Sequence, residues 1–183
     1  MALTDGLDVL CSDENRRGGI KKLWIAERDT VDTFSLDGAA SSYNYDGVTM
    51  TIPASDVFFL YEFEDFTGMM SSESNSENGS KVINRSLEFH VPKMTEAHAR
   101  ILQEAFTACR CILVYEDNNS ETWVAGFDEI LGKKAALICT VDEMTGTGLQ
   151  DENGYILKFA GIGAELSYPF TGDTTLTPFE QTP

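Results

Sequence analysis

A strand, a helix and a hairpin follow one another between residues 84 and 127, and this run constrains the fold more than any other part of the chain. Residues 85–91, RSLEFHV, alternate polar with apolar side chains, which is typical of a half-buried strand. After Pro92, Thr95 can cap a helix predicted over residues 95–108. The apolar run CILVY and the later segment TWVAGF flank an acidic, Asn-rich turn, which predicts a β-hairpin.

The predicted helix has one apolar face, because its aliphatic and aromatic residues recur at helical spacing. We expect Ile101, Leu102 and Phe106 to be buried against a sheet. A single amphipathic helix that precedes a hairpin has one plausible place in a β-rich domain. We therefore expect it to lie across a sheet and to plug the open end of a sandwich or barrel.

Short strand patterns separated by turns make up most of the remaining chain. They predict a mainly β fold, a β-sandwich or barrel with one flanking α-helix, in a single domain over residues 1–183. Residues 66–80 are rich in Ser, Glu, Asn and Gly, and we expect a long, mobile loop there. Residues 1–10 and the polar, proline-containing residues 171–183 are expected to be extended arms.

The charge of the chain is its most informative composition feature. The net charge is −17, and from Asp29 to Ser80 there are ten Asp and Glu but no Lys or Arg. Such a surface argues against binding to nucleic-acid phosphates, which requires clustered cations. It is either an ordinary solvated surface or one that must not adhere to a polyanion. We expect neither a membrane span nor a secretory signal, since no apolar run of sufficient length is present.

No residue pattern predicts catalysis, a metal site or a cofactor. His90 and His98 lie outside HxH and HExxH patterns, and no nucleophile elbow or phosphate loop is present. Asp151 and Asn153 share a turn without the spacing of a calcium loop. We expect the cysteines to be reduced and partly buried thiols, although the sequence leaves their pairing open; they are Cys11, Cys109, Cys111 and Cys139.

The order of these segments resembles that of small virion proteins of tailed phages, in particular tail tube proteins of phages with Bacteroidetes-type hosts. The resemblance rests on four segments that together cover most of residues 18–170. These are GGIKKLWIAE, SLEFHVPKMTEAHARILQEA, CILVYEDNNSETWVAGF and the closing TGTGLQDENGYILKFAGIGAELSYPF. No catalytic motif anchors it.

The resemblance implies a structural subunit of the virion tail, made in the host cytoplasm. It implies homo-hexameric rings that stack, contact other tail proteins and form a continuous inner barrel through which DNA passes without specific binding. An acidic lumen would repel DNA. We expect strands within residues 48–64 to line it. Two of the expected lumen residues, Glu62 and Glu64, lie in a strand, and two, Asp46 and Asp56, lie in flanking turns.

Two alternatives remain open from the sequence. The same acidic chain would also suit a tail terminator, a neck protein or a capsid decoration protein. A soluble β-sandwich module could instead bind a carbohydrate or a protein through residues 57–64, VFFLYEFE. In that strand we expect Phe58, Leu60 and Glu62 on one face and Phe59, Tyr61 and Phe63 on the other, mostly in the core.

Overall fold

The structure is a computed structural model that describes residues 18–36, 47–53, 56–63, 67–77, 80–146, 153–175 and 179. Within these ranges the fold is mainly β with one α-helix, as the sequence predicts. None of the helices described is long and apolar enough to cross a membrane. The elements are β1 (Ile20–Glu27), β2 (Thr33–Leu36), β3 (Val48–Thr51), β4 (Phe59–Glu62), β5 (Gly68–Glu77), β6 (Ser80–Pro92), α1 (Glu96–Thr107), β7 (Cys111–Asp117), β8 (Thr122–Ala125), a 3-10 helix (Gly132–Ala135), β9 (Ile138–Met144), β10 (Gly154–Gly163) and β11 (Tyr168–Pro169).

Two antiparallel sheets pack against each other, and a small third sheet covers one of them. The larger sheet has the order β11-β8-β7-β1-β4, the second has the order β5-β6-β10-β9, and β2 pairs with β3. The predicted hairpin is β7–β8, with Val114 opposite Val124. The five-stranded sheet is apolar on both faces. In β1, Leu23 and Ile25 face the core between the two large sheets, whereas Trp24 and Ala26 face the core beneath β2 and β3.

Helix α1 confirms the predicted helix and its cap, since the Thr95 side chain accepts a hydrogen bond from the His98 amide at 3.1 Å. The predicted burial is correct for Leu102, which is 3% exposed, and wrong for Ile101 and Phe106, which are 41% and 51% exposed. The sheets cover only the narrow stripe that Leu102 shares with Ala105. Ile101 and Phe106 flank this stripe on opposite sides.

The expected long loop over residues 66–80 is wrong, because β5 fills most of that segment and pairs with β6 down to Glu77 opposite Ser80. The side chains of residues 71–76 are exposed, so this part of the strand lacks the apolar alternation by which strands are recognised. Gly68 is required where β5 crosses the core, because a Cβ there would lie 2.7 Å from the Phe89 ring.

The β5–β6 hairpin projects from the body of the domain. The last residue of β10, Gly163, pairs with Ile83, but β5 and β6 continue for three further pairs, which corresponds to about 10 Å of paired backbone. The segment is therefore a projecting hairpin, and residues 78–79 at its turn lie outside the described residues.

The two expected arms have different outcomes. Residues 1–10 lie outside the described residues. The C-terminal segment is not a free arm at Phe179, whose ring is buried and stacks on Phe58 with 4.7 Å between ring centroids. Phe179 also contacts Trp24, so this part of the C-terminal segment covers the second core instead of extending away from the domain.

Candidate functional site

A groove of about 700 Å³ opens between helix α1 and strand β4. Ile25 and Leu102, which line its inner part, are almost fully buried. Phe59 and Ile101 also line it, and they are 56% and 41% exposed. The groove therefore joins the core to the surface through apolar side chains, and its volume lies in the range of ordinary ligand or peptide sites.

The alternation of side chains in β4 creates the groove wall. Phe58 and Leu60 point into the core beneath β2 and β3, as the sequence predicts. The alternate residues Phe59, Tyr61 and Phe63 line the groove. Of these, Phe63 stacks on Phe89 at 4.5 Å between centroids, which holds the inner end of the wall. The aromatic strand is thus only half core, because its second face is partly open.

Strand β4 is also the terminal strand of its sheet. It pairs with β1, where Phe59 lies opposite Ile25, and no strand of the described ranges pairs with its other edge. Residues 64–66, which follow it, lie outside those ranges. Phe58, directly before β4, forms an isolated parallel bridge with Phe179, so what the groove offers an incoming chain is a side-chain pocket.

The rim of the groove is acidic. Glu27, Glu62 and Glu104 are exposed and line it. A lysine offsets one of these charges, since the Lys22 ammonium lies 3.2 Å from the Glu62 carboxylate. His98 also lines the groove and its Nδ1 lies 3.0 Å from the Lys93 carbonyl oxygen. The rim therefore favours an occupant that is apolar and carries positive charge.

Buried charges brace a turn elsewhere on the domain, over residues 128–131. Arg85, Asp128 and Glu165 are the buried charged side chains of the described ranges, and all three converge on this turn. Asp128 accepts hydrogen bonds from the amides of Leu131 and Ala164.

The other two buried charged residues, Glu165 and Arg85, complete this hydrogen-bonded network. Glu165 accepts from the Glu129 amide at 2.8 Å and from the Tyr168 hydroxyl at 2.8 Å. Arg85 donates to the carbonyls of Phe127 and Glu165. Buried charges are costly unless they are hydrogen-bonded, so this network fixes the backbone of the turn.

The braced turn presents large aliphatic side chains to solvent. Ile130 is 65% exposed and Leu131 is 36% exposed. Lys133 and Lys134 follow directly in the 3-10 helix, and the Lys133 ammonium donates to the Val31 carbonyl. Glu129 supplies one exposed acidic side chain beside them. A rigid turn thus displays an apolar tip next to two lysines.

The outer face of the four-stranded sheet is not covered by any described element. Strand pairing aligns Glu88, Lys158 and Thr140 across it, and the Lys158 ammonium lies 2.9 Å from the Asp142 carboxylate and 3.9 Å from Glu88. The Asp142 contact raises the pKa of Lys158. Glu73 adds a further exposed acid on β5. This face carries a modest excess of negative charge together with the exposed apolar side chains of Met69, Ile138 and Ile162.

The thiols of the two buried cysteines have low reactivity. Burial raises the pKa of Cys111 to about 11 and that of Cys139 to about 12, so both stay protonated near neutral pH. Cys109 is exposed, and these three cysteines are free. In the described part of the chain no three His, Cys, Asp or Glu side chains are grouped closely enough to hold a metal ion.

Of the four expected lumen residues, the structure describes Glu62 and Asp56. Glu62 is exposed at the groove rim, and Asp56 is half-buried, with its amide bonded to the Pro53 carbonyl. Glu64 and Asp46 lie outside the described residues. The assignment of these residues to a lumen stays a prediction.

Residues 57–64 were an alternative binding surface from the sequence, but local patterns did not predict the groove between β4 and α1 or the braced turn. The groove combines β4 with a helix about forty residues later, and such long-range pairing leaves no local pattern. The turn segment EILGKK reads as an ordinary turn, and only the buried acid Asp128 before it hints at a fixed backbone.

Comparisons with protein-family models, with curated proteins and with solved structures found no match. The groove, the braced turn and the bare sheet face are therefore the observations from which a function is inferred.

Proposed function

We propose that this chain is the structural subunit of a phage tail tube, which forms stacked ring-shaped homo-oligomers whose lumen conducts DNA. The observation that carries the proposal is the four-stranded sheet. It has one bare face, and its terminal strands β5 and β9 each pair on one side only within the described ranges. Exposed sheet edges are sites of association unless they are protected.

The strand directions of this sheet suit ring closure. All pairs in β5-β6-β10-β9 are antiparallel, so β5 and β9 run in opposite directions. If β9 of one copy lies beside β5 of the next around a ring axis, the new pair is also antiparallel. A ring of such copies is then one uninterrupted antiparallel barrel with no edge left open.

The size of such a barrel is adequate for DNA. Six copies, the number that the tail-tube resemblance implies, would contribute about 24 strands. With strands ~4.8 Å apart and tilted by ~40°, the backbone diameter is about 48 Å. Side chains on both walls still leave a channel wide enough for a duplex.

The negative charge of the chain also supports a role in conducting DNA. With a net charge of −17, the chain offers phosphates little attraction. On the bare face, Glu73, Glu88 and Asp142 outnumber the single lysine, Lys158, whose ammonium is already held by acids. We therefore place the lumen wall on this face, and the expected lumen position of Glu62 becomes the competing arrangement.

Negative-stain electron microscopy of the purified protein tests the proposal. We expect rings or tubes with an open centre. Single rings that never stack would favour a tail terminator, neck or decoration protein. A monomer at all concentrations, without particles in the micrographs, would refute self-assembly and with it the proposed tube.

A binding module is the second candidate, and the apolar groove is the observation that favours it. An exposed aromatic groove wall suits a short apolar peptide. This function requires a stable monomer that binds such a ligand with saturation at the groove. Loss of that binding in Phe59→Asp, together with the absence of any assembly, would favour this candidate.

A further inference from the structure

We infer that the braced turn of one copy docks into the groove of a second copy. The inference rests on the proposed function, since it names the surfaces through which tube subunits would associate. The tip of the turn consists of Ile130 and Leu131, and the receiving surface consists of the groove walls around Phe59 and Ile101.

The turn is preorganised for docking. The buried carboxylates of Asp128 and Glu165 accept hydrogen bonds from amides of the turn, Arg85 bonds the Phe127 carbonyl just before it, and the tip of the turn is exposed and aliphatic. A rigid tip loses little conformational entropy when it becomes buried, which favours association. Large aliphatic side chains held rigidly in solvent gain from an apolar partner.

The two surfaces are complementary in shape and in chemistry. A projecting aliphatic pair enters a groove of about 700 Å³ lined by aromatic and aliphatic side chains. The lysines beside the tip, Lys133 and Lys134, then approach a rim that carries Glu27 and Glu104. The Lys133 ammonium is held by the Val31 carbonyl and Glu129 on the turn opposes this attraction in part, so the attraction depends mainly on Lys134.

The contact is head-to-tail. The turn lies between β8 and the 3-10 helix, whereas the groove lies between β4 and α1, so each copy contributes a different surface. Contacts of this kind generate rings when the rotation closes. An open chain of copies therefore keeps one free turn at one end and one free groove at the other until the ring closes.

Two singly defective variants test the contact by complementation. Ile130→Asp removes the tip but keeps the groove, and Phe59→Asp removes the groove wall but keeps the tip. We expect each variant alone to associate roughly tenfold or more weakly than the wild type. Mixed together they should associate more strongly than either variant alone, because one intact turn and one intact groove remain for each mixed pair. Sedimentation velocity measures all three samples.

Matched controls separate this result from misfolding. Ile162→Asp changes a side chain of similar exposure, 59%, on the inner strand β10, outside both surfaces and away from the sheet edges, and it should associate like the wild type. Circular dichroism should show each variant folded, and Ile101→Asp replaces Phe59→Asp if the latter unfolds. The charge pair gives a second measurement, since Glu104→Lys and Lys134→Glu should each weaken association and should restore it when combined across two copies.

These experiments distinguish a failure of the docking inference from a failure of the proposed function. If wild-type rings form and Ile130→Asp and Phe59→Asp assemble equally well, the docking inference is overturned while the tube proposal stands. A wild-type protein that stops at a closed dimer overturns the head-to-tail arrangement. A wild type that never associates overturns both.

Discussion

Replacement of Leu102 by alanine measures how firmly helix α1 is held against the sheets. Leu102 is 3% exposed and packs in the core between the two large sheets. The change removes three carbon atoms, which at about 0.8 kcal/mol each costs about 2.4 kcal/mol of transfer free energy. A cavity term raises such losses to as much as about 5 kcal/mol in closed cores.

The groove limits the cavity term at this position. Leu102 lines a cavity that is open to solvent, so the space left behind can be filled by water or by neighbouring side chains. We therefore expect a loss of about 2–3 kcal/mol, at the lower end of the range for buried leucines. In a domain of this length, that corresponds to a fall in Tm of about 4–12 °C.

Ile101 and Phe106 are the matched controls for this measurement. Both are large apolar residues of the same helix, but they are 41% and 51% exposed. Alanine also has the better helix propensity, so we expect each change to cost under about 1 kcal/mol. Urea unfolding under conditions that keep the protein monomeric avoids a contribution from assembly. Equal losses at Leu102 and Ile101 would show that the helix is not seated as described.

Three further outcomes are expected. Removal of residues 75–82 should leave a folded monomer but impair stacking into tubes by electron microscopy, because only the projecting hairpin end is lost; normal tubes would remove its role. Native alkylation at mildly alkaline pH should modify Cys109 but not Cys139, as peptide mass spectrometry can show. Burial raises the pKa of Cys139 from 9.0 to about 12. The neutral thiol of Cys139 therefore contributes its full stability to the fold below pH 9. This contribution to stability is lost as the pH rises towards 12. Tubes of Glu73→Lys should bind DNA at low salt and release it as salt rises, whereas Glu62→Lys tubes should not; the reverse result would place β4 on the lumen.

Local sequence patterns were sufficient to predict helix α1. The cap at Thr95 and the spacing of apolar residues predicted α1 to within a residue or two. The same pattern did not identify which apolar residues become buried, because Ile101 and Phe106 differ from Leu102 only in what the sheets cover. Burial on a helix is set by its tertiary neighbours, which helical spacing alone does not specify.

Strand β5 is an element that local sequence patterns did not predict. Its sequence, GMMSSESNSE, has the composition of a loop, and its stability as a strand comes from backbone pairing with β6 and from the core contacts of its first residues. The apolar half of the hairpin, Leu87 and Phe89, lies entirely on β6. A strand whose partner supplies the buried side chains has little sequence signal of its own.

In the proposed tube, the placement of cations would let so acidic a protein both assemble and conduct DNA. Lys21, Lys22 and Lys158 each lie within 4 Å of a Glu or Asp oxygen, and the Arg28 guanidinium contacts Asp29 at 2.8 Å. A cation that is already paired releases less free energy when it meets a phosphate, because the existing contact must be lost. Arg85 is buried within the brace and cannot reach a ligand in the lumen without unfolding the turn. Attraction between copies then depends on apolar contact and on local charge pairs at close range, which are screened less than the long-range repulsion of the net charge.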